Sequence, residues 1–218
     1  CIVVGGDKLT YEFDTGSPAT NVVETKILLN SVISDASNGA RFCSMDLKDM
    51  FLHTPMEQPE FMKVPYKYFP NDIRIRYNLN TVVHDDGYVY IRIKKGMYGL
   101  KQAALLAYNN LSKLLLQAGY QPIRTTSGLW KHKSRKIIFC LCVDDFGIKY
   151  YNKEDVLHLQ NAINKTYICK TDWEGKNYLG YTLDWNYNKG FVDISMPGYV
   201  QNALKKFQHE PKVFPQFS

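Results

Sequence analysis

Seven consecutive apolar residues, Ile137 to Val143, run into two adjacent carboxylates, Asp144-Asp145, and Phe146 to Tyr151 then follow at once. An apolar run of this length, followed by another after a short polar break, reads as two strands joined by a turn. Adjacent acids cannot be buried unless something neutralises them, so they belong at the turn. The pattern commits this part of the chain to an antiparallel hairpin with two carboxylates at its tip. A turn also lets both acids reach water with no further role, so the pair alone leaves two readings open.

A third acid narrows the choice. Arg41 to Met45 reads as a strand, with Asp46 at its end. If the two strands are neighbours, Asp46 and Asp144 meet at one sheet edge. Two hard divalent cations, about 3.5–4 Å apart, would there bridge carboxylates and phosphate oxygens.

The rest of the chain supplies an α+β frame. A helix is expected near Val22 to Ser34, after a polar loop around Asp14 to Pro18 and a short opening strand at Ile2 to Val4. Phe61 to Pro65 reads as a short strand. Tyr88 to Lys94 alternates Val89, Ile91 and Ile93 against Tyr88, Tyr90 and Arg92, which is strand periodicity. Gly96 to Gly99 is a turn, and Leu105, Leu106, Leu111, Leu114, Leu115 and Ala118 form the apolar face of a helix that Gly119 ends. A further helix is expected from about Glu154 to Tyr167. Tyr178 to Trp185 and Phe191 to Ser195 read as a hairpin around Asn188-Lys189-Gly190, and Pro197 suits the first turn of a last helix through about Phe207. This order predicts an antiparallel sheet with helices packed on one face.

Charge is unevenly distributed. The chain is +6 overall, and residues 91 to 143 hold ten Lys and Arg side chains and no Asp or Glu. Such a stretch creates a positive field whose usual polyanionic partner is nucleic acid, although a solvated basic face has the same composition. Sixteen Tyr and eleven Phe provide core, and also flat surfaces for bases and sugars. The five cysteines have no C-x-x-C spacing and read as reduced thiols in a reducing compartment. No apolar run reaches the length of a membrane span or has the form of a signal peptide, so no membrane is expected. The chain opens on Cys1 in mid-strand, as though cut from something longer.

Four motifs in order carry a resemblance. Val143-Asp144-Asp145 after Cys142 resembles the aromatic-x-Asp-Asp motif of reverse transcriptases. Met45-Asp46-Leu47-Lys48-Asp49-Met50-Phe51 resembles that family's other catalytic motif, an Asp followed five positions later by Phe or Tyr. Gly96 to Ala103 resembles the Tyr-Gly-Leu-Lys-Gln-Ala segment of copia-type LTR retrotransposon polymerases, and Tyr178-Leu179-Gly180 the Leu-Gly hairpin that grips the primer. The resemblance spans roughly residues 40 to 210 and implies a right-hand polymerase fold of fingers and palm.

The resemblance implies roles. Asp46, Asp144 and Asp145 match the catalytic and metal-binding triad, with Asp46 and Asp144 the direct ligands. The metal would be two Mg²⁺ ions, with Mn²⁺ as the alternative. Backbone amides of Leu47, Lys48, Asp49 and Met50 would contact the triphosphate. Phe51 matches the residue whose ring excludes a ribose 2′-hydroxyl. Tyr98 and Gly99 match the floor of the nucleotide pocket. Lys101 either reaches phosphate or is solvated. Val143, Tyr178, Leu179 and Gly180 would touch the primer. Substrates would be deoxynucleoside triphosphates and a primer on an RNA or DNA template, with RNase H and integrase elsewhere in a polyprotein. Cytoplasmic virus-like particles would be the site of action, with the nucleus as an alternative.

Departures from the pattern are specific. Cys142 replaces the usual aromatic, and Ala104 replaces a Pro. The fingers region before Asp46 is short, so an expected phosphate-binding Arg falls at or before residue 1, with Lys8 as a substitute. The expected organisation is partial fingers over 1–40, palm over 41–177 with an interleaved fingers segment at about 55–95, and a grip hairpin with the start of a thumb over 178–218. The alternative to an active RNA-directed DNA polymerase is an inactive fragment or relic that keeps the fold and binds nucleic acid.

Overall fold

The computed structural model describes residue 5 and residues 15–126 and 128–208. The expected opening strand, Lys8 and Asp14 lie outside the described residues. In chain order the elements are α1 (Val22–Ser34), β1 (Arg41–Lys48), α2 (Met50–His53), β2 (Pro55–Pro65), α3 (Asn71–Arg76), β3 (Tyr88–Lys95), α4 (Ala103–Gln117), β4 (Tyr120–Pro122), β5 (Leu129–His132), β6 (Ile137–Cys142), β7 (Asp145–Tyr150), α5 (Lys153–Ile163), β8 (Ile168–Asp172), β9 (Asn177–Tyr178), β10 (Tyr181–Asn186), β11 (Phe191–Ser195) and α6 (Tyr199–Lys206). The α+β class with antiparallel pairing is the one the sequence implied. Among the described residues no helix is long and apolar enough to cross a membrane.

The chain divides into two compact units. One includes Leu47–Gln121 and His158–Cys169; the other includes Thr20–Asp46, Pro122–Leu157 and the chain from Lys170 on. In the first unit, β2 and β3 form a two-stranded antiparallel ribbon. β2 begins at Pro55, six residues before the expected Phe61. Its three prolines hide it from propensity, yet a ribbon tolerates proline, and the register shift between Pro55 and Glu60 absorbs the irregularity. Helix α4 buries Ala103, Ala107, Leu111 and Leu115. That i, i+4 stripe takes Leu111 and Leu115 from the predicted face and leaves Leu105, Leu106, Leu114 and Ala118 half-buried at its margins. Gly119 follows it at φ +89°, the left-handed stop that favours glycine.

In the second unit the strand order is β4-β5-β6-β7-β1-β8, taken up to the points where β1, β4 and β8 leave the unit. Helix α1 starts on a capping box. The Glu24 N–H donates to Asn21 Oδ1 at 2.8 Å, and Glu24 Oε2 accepts from the Asn21 N–H at 3.1 Å. Its Leu28, Leu29 and Val32 pack with Phe42, Cys140, Tyr178 and Leu183 in one buried cluster. Three boundaries depart from expectation. β1 runs two residues past Asp46. Asp145 is the first residue of β7, so the turn is Val143-Asp144 alone. α5 stops at Ile163, four residues before Tyr167, where Asn164 turns its Oδ1 to accept the Cys169 N–H at 3.4 Å.

Candidate active site

The site grows from the pairing of three strands. β6 and β7 are joined by the two-residue turn Val143-Asp144, closed by Cys142 opposite Asp145. Val143 has φ +58° while Asp144 does not, the pattern of a type II′ hairpin turn. A β-branched residue pays steric strain there, which holds the turn in one tight shape. On its other side β7 pairs with β1, and the register sets Asp46 directly across from Asp145. Directly opposed residues carry their Cβ atoms about 4.5–5.5 Å apart on one sheet face. The sequence expectation brought Asp46 and Asp144 to one sheet edge; the strands are indeed neighbours, with Asp145 directly opposite Asp46 and Asp144 on the adjoining turn, close enough to feel the Asp46 charge.

Electrostatics follow from that crowding. The Asp145 carboxyl is pushed up to about 6, first by burial and then by the like charges of Asp144 and Asp46. Asp144 is raised too, mainly by burial and further by Asp46, against a backbone hydrogen bond that lowers it. None of the ion pairs among the described residues reaches these three acids. The half-buried carboxylates of Asp144 and Asp145, with the exposed one of Asp46, match the hard oxygen donors that Mg²⁺ or Mn²⁺ takes. The fit is one of donor type and backbone placement. Among the described residues no three His, Cys, Asp or Glu side chains are drawn together tightly enough to hold a metal ion. Asp46 and Asp145 open onto a cleft of about 750 Å³ whose wall includes Ser44, Lys170 and the segment Tyr178 to Gly180.

That segment is locked beneath the acids. Leu179 and Gly180, at φ +51° and +79°, form the type I′ turn between β9 and β10, so Tyr178 belongs to its own short strand and not to the long hairpin first expected. Tyr178 is 3% exposed, and its ring sits edge-on to Phe42 at 5.7 Å. A Cβ on Gly147 would lie 2.6 Å from the Tyr178 Cζ, so only glycine fits beside Ser44 on this face. Ser44 Oγ donates to the Asn177 carbonyl at 2.7 Å. The strand-interior glycine was the available signal for this close approach.

The expected nucleotide-binding residues Leu47, Lys48, Asp49, Met50, Phe51, Tyr98, Gly99 and Lys101 lie in the other compact unit. Asp49, at φ +53°, turns the chain from β1 into α2. Leu47, Met50 and Phe51 are buried, while Lys48, Asp49, Gly99 and Lys101 are exposed. Phe51 meets Tyr98 edge to face at 4.8 Å. Gly96 makes that meeting possible. Its N–H donates to the Thr54 carbonyl at 2.9 Å, and a Cβ there would stand 2.9 Å from the Phe51 carbonyl oxygen. Gly96 was seen only as a turn residue in the sequence; its role is to let the Tyr98 segment dock on Phe51.

Known proteins give the same direction. This chain is 26% identical over 201 residues to a truncated transposon Ty1-A Gag-Pol polyprotein of Saccharomyces cerevisiae, covering 89% of this chain and 15% of that protein. It is 25% identical over 164 residues to a transposon Ty5-1 protein of the same yeast, covering 74% of this chain and 49% of that one. The chain thus spans half or less of the length of these relatives. Among solved structures it is similar to apo telomerase from Candida tropicalis truncated from its C-terminal domain, at 13% identity and TM-score 0.39, over 81% of this chain and 40% of that one. The family model described as reverse transcriptase (RNA-dependent DNA polymerase) matches residues 4–213, and the chain belongs to the reverse transcriptase family.

Proposed function

We propose that this chain is the fingers-and-palm core of an RNA-directed DNA polymerase of an LTR retrotransposon polyprotein. It joins a deoxynucleotide to a primer 3′ hydroxyl and releases pyrophosphate. The observation that carries this reading is the register of β1 on β7, which puts Asp46 opposite Asp145 with Asp144 on the adjoining turn. In this reading Asp46, Asp144 and Asp145 would hold two divalent cations, which when bound would supply Lewis acidity for phosphoryl transfer. Burial first, and the neighbouring carboxylates after it, raise Asp144 and Asp145, which suits a site that would receive positive charge.

The remaining roles are those the family resemblance implies. Phe51, braced by Tyr98, bars a 2′-hydroxyl by volume. Backbone around Leu47 to Met50, with Gly99 and Lys101, receives the triphosphate. Val143, the half-buried Leu179 and the exposed Gly180 meet the primer strand, and the buried Tyr178 ring supports that turn. Phosphoryl transfer depends on position and charge, so this economy of groups suffices. Residues 1–40 are assigned to partial fingers, 41–177 to the palm with fingers at about 55–95, and the rest to the grip hairpin and start of the thumb. Template, primer and the remaining polyprotein segments are the partners, and cytoplasmic particles, with the nucleus as alternative, the place of action.

Primer extension on an RNA template with Mg²⁺ tests this. The parent chain extends and Asp144→Asn does not, while both bind the primer–template. Extension by Asp144→Asn at the parent rate removes the metal assignment. Binding without extension by either protein favours a relic that keeps the fold.

A further inference from the structure

The hairpin between β5 and β6 carries Lys131-His132-Lys133-Ser134-Arg135-Lys136, five basic or imidazole side chains in six residues. It stands at the opposite end of β6 from the acids. The register runs from Ile137 opposite Tyr150 to Cys142 opposite Asp145, five residue steps that span about 17 Å at the usual strand rise. The cleft holding Asp46 and Asp145 includes none of these basic residues.

The tip is built, not frayed. His132 Nδ1 accepts the N–H groups of Ser134 and Arg135 at 3.1 and 3.0 Å, which folds the loop over the ring. The Arg135 guanidinium is tied to Asp155 at 2.8 Å. Beside it lies a separate hollow of about 580 Å³, lined by Lys131, Arg135, Lys136 and Lys149 against the single carboxylate of Asp35. That carboxylate is already committed. Asp35 accepts from the buried Lys149 ammonium and, at 2.9 Å, from the Tyr151 hydroxyl. With Asp155 and Asp35 both engaged, no ion pair among the described residues neutralises Lys131, Lys133 or Lys136. Lys136 and Lys149 also flank the face of Tyr151, at 5.9 and 5.7 Å from its centroid. Three unneutralised ammonium groups on a fixed frame, beside an aromatic ring, form a surface for a phosphodiester backbone.

We propose that this hairpin is a second nucleic-acid contact, separate from the catalytic cleft, that grips backbone phosphates of the template or its duplex. The choice of nucleic acid as the polyanion rests on the polymerase reading; the cationic surface itself does not. Its effect is to hold the chain on nucleic acid between successive additions, through contacts that carry no sequence information.

The test compares the parent with Lys131→Gln/Lys133→Gln/Lys136→Gln and with the charge-keeping triple Lys→Arg variant. Binding to a primer–template duplex and to single-stranded RNA is measured against salt. Each lost duplex contact removes about 0.9 from the slope of log affinity against log salt, and each single-strand contact about 0.7. Three lost duplex contacts make the parent lose about 40-fold more affinity than the Gln variant between about 50 and 200 mM salt. A reduced slope in the Gln variant, restored in the Arg variant, supports the proposal, and the nucleic acid that shows it identifies the strand gripped. Equal slopes in all three proteins on both nucleic acids overturn it. A parent that fails to extend a primer but shows the charge-dependent slope difference would overturn the polymerase reading and leave this surface standing.

Discussion

Gly147→Ala gives the sharpest test of how the acidic edge is held. The added Cβ would lie 2.6 Å from Tyr178 Cζ, 2.8 Å from Cε1 and 3.0 Å from the hydroxyl. Real Cβ contacts do not come that close, so the ring or β7 must move. Tyr178 has little freedom: it is 3% exposed, packs on Phe42, and is anchored by the turn at Leu179-Gly180. Overpacking of this kind costs about 1–3 kcal/mol. Replacing a strand-interior glycine by alanine returns about 0.5–1 kcal/mol through the unfolded chain. The net expectation is a loss of about 1–2 kcal/mol in urea unfolding. Tyr178→Ala alone costs about 3–5 kcal/mol, because it empties a core position. In that background the clash is gone, and Gly147→Ala becomes neutral or stabilising by about 0.5 kcal/mol. The cycle therefore predicts a coupling of about 2 kcal/mol between the two positions. Additivity within about 0.5 kcal/mol would show that the ring does not press on Gly147 and refute the reasoning.

Other expectations follow from the same geometry. Asp145 is held near 6 in place of the usual 3.8, so between about pH 4 and 6 the folded chain keeps a proton that the unfolded chain has released. Stability therefore falls as pH rises through that window. The shift is worth about 3 kcal/mol at full value and about 1 kcal/mol once half-exposure is allowed for. Asp145→Asn should raise the stability of the metal-free chain by about that amount at neutral pH and by nothing near pH 3, while abolishing extension; thermal melts across pH check it, and equal gains at both pH values would count against it. Phe51→Ala should raise the ratio of ribo- to deoxynucleotide incorporation at least tenfold, and Gly96→Ala, by displacing the Phe51 backbone, should raise it less; an unchanged ratio in both removes Phe51 from that role. Burial raises the thiols of Cys43 and Cys140, the latter to about 11, so thiol reagents mapped by mass spectrometry should label Cys142 and Cys169 well before these two.

The carboxylates were legible in the sequence because burying them would be costly. That argument singled out Asp46, Asp144 and Asp145 before any coordinates, although only Asp144 lies outside a strand: β1 continues past Asp46, and Asp145 opens β7. It could not find which of them face each other. Register depends on a two-residue turn whose first member, Val143, takes a backbone angle that valine rarely adopts, so no propensity points to it. One residue more in that turn would carry Asp145 off the face it shares with Asp46. The prolines of β2 and the leucines of α4 misled for a related reason: pairing partners and packing neighbours decide which irregularities are tolerated and which apolar side chains are covered.

The two glycines teach the converse. Gly96 and Gly147 carry no chemistry, and in the sequence each looks like a turn or a weak point in a strand. Each is where another segment comes too close for a side chain, Phe51 in one unit and Tyr178 in the other. In the unit that carries the acids, Gly147 lets the Tyr178 ring pack closely against the strand that Asp145 begins. Repulsion among Asp46, Asp144 and Asp145 favours opening the β6–β7 turn, while the Val143 geometry and the Tyr178 contact resist it. If that balance is real, divalent ions should stabilise the parent and stabilise Asp145→Asn much less. Gly147→Ala should weaken the response to Mg²⁺ without removing a single ligand, because it loosens the frame that holds the acids in place.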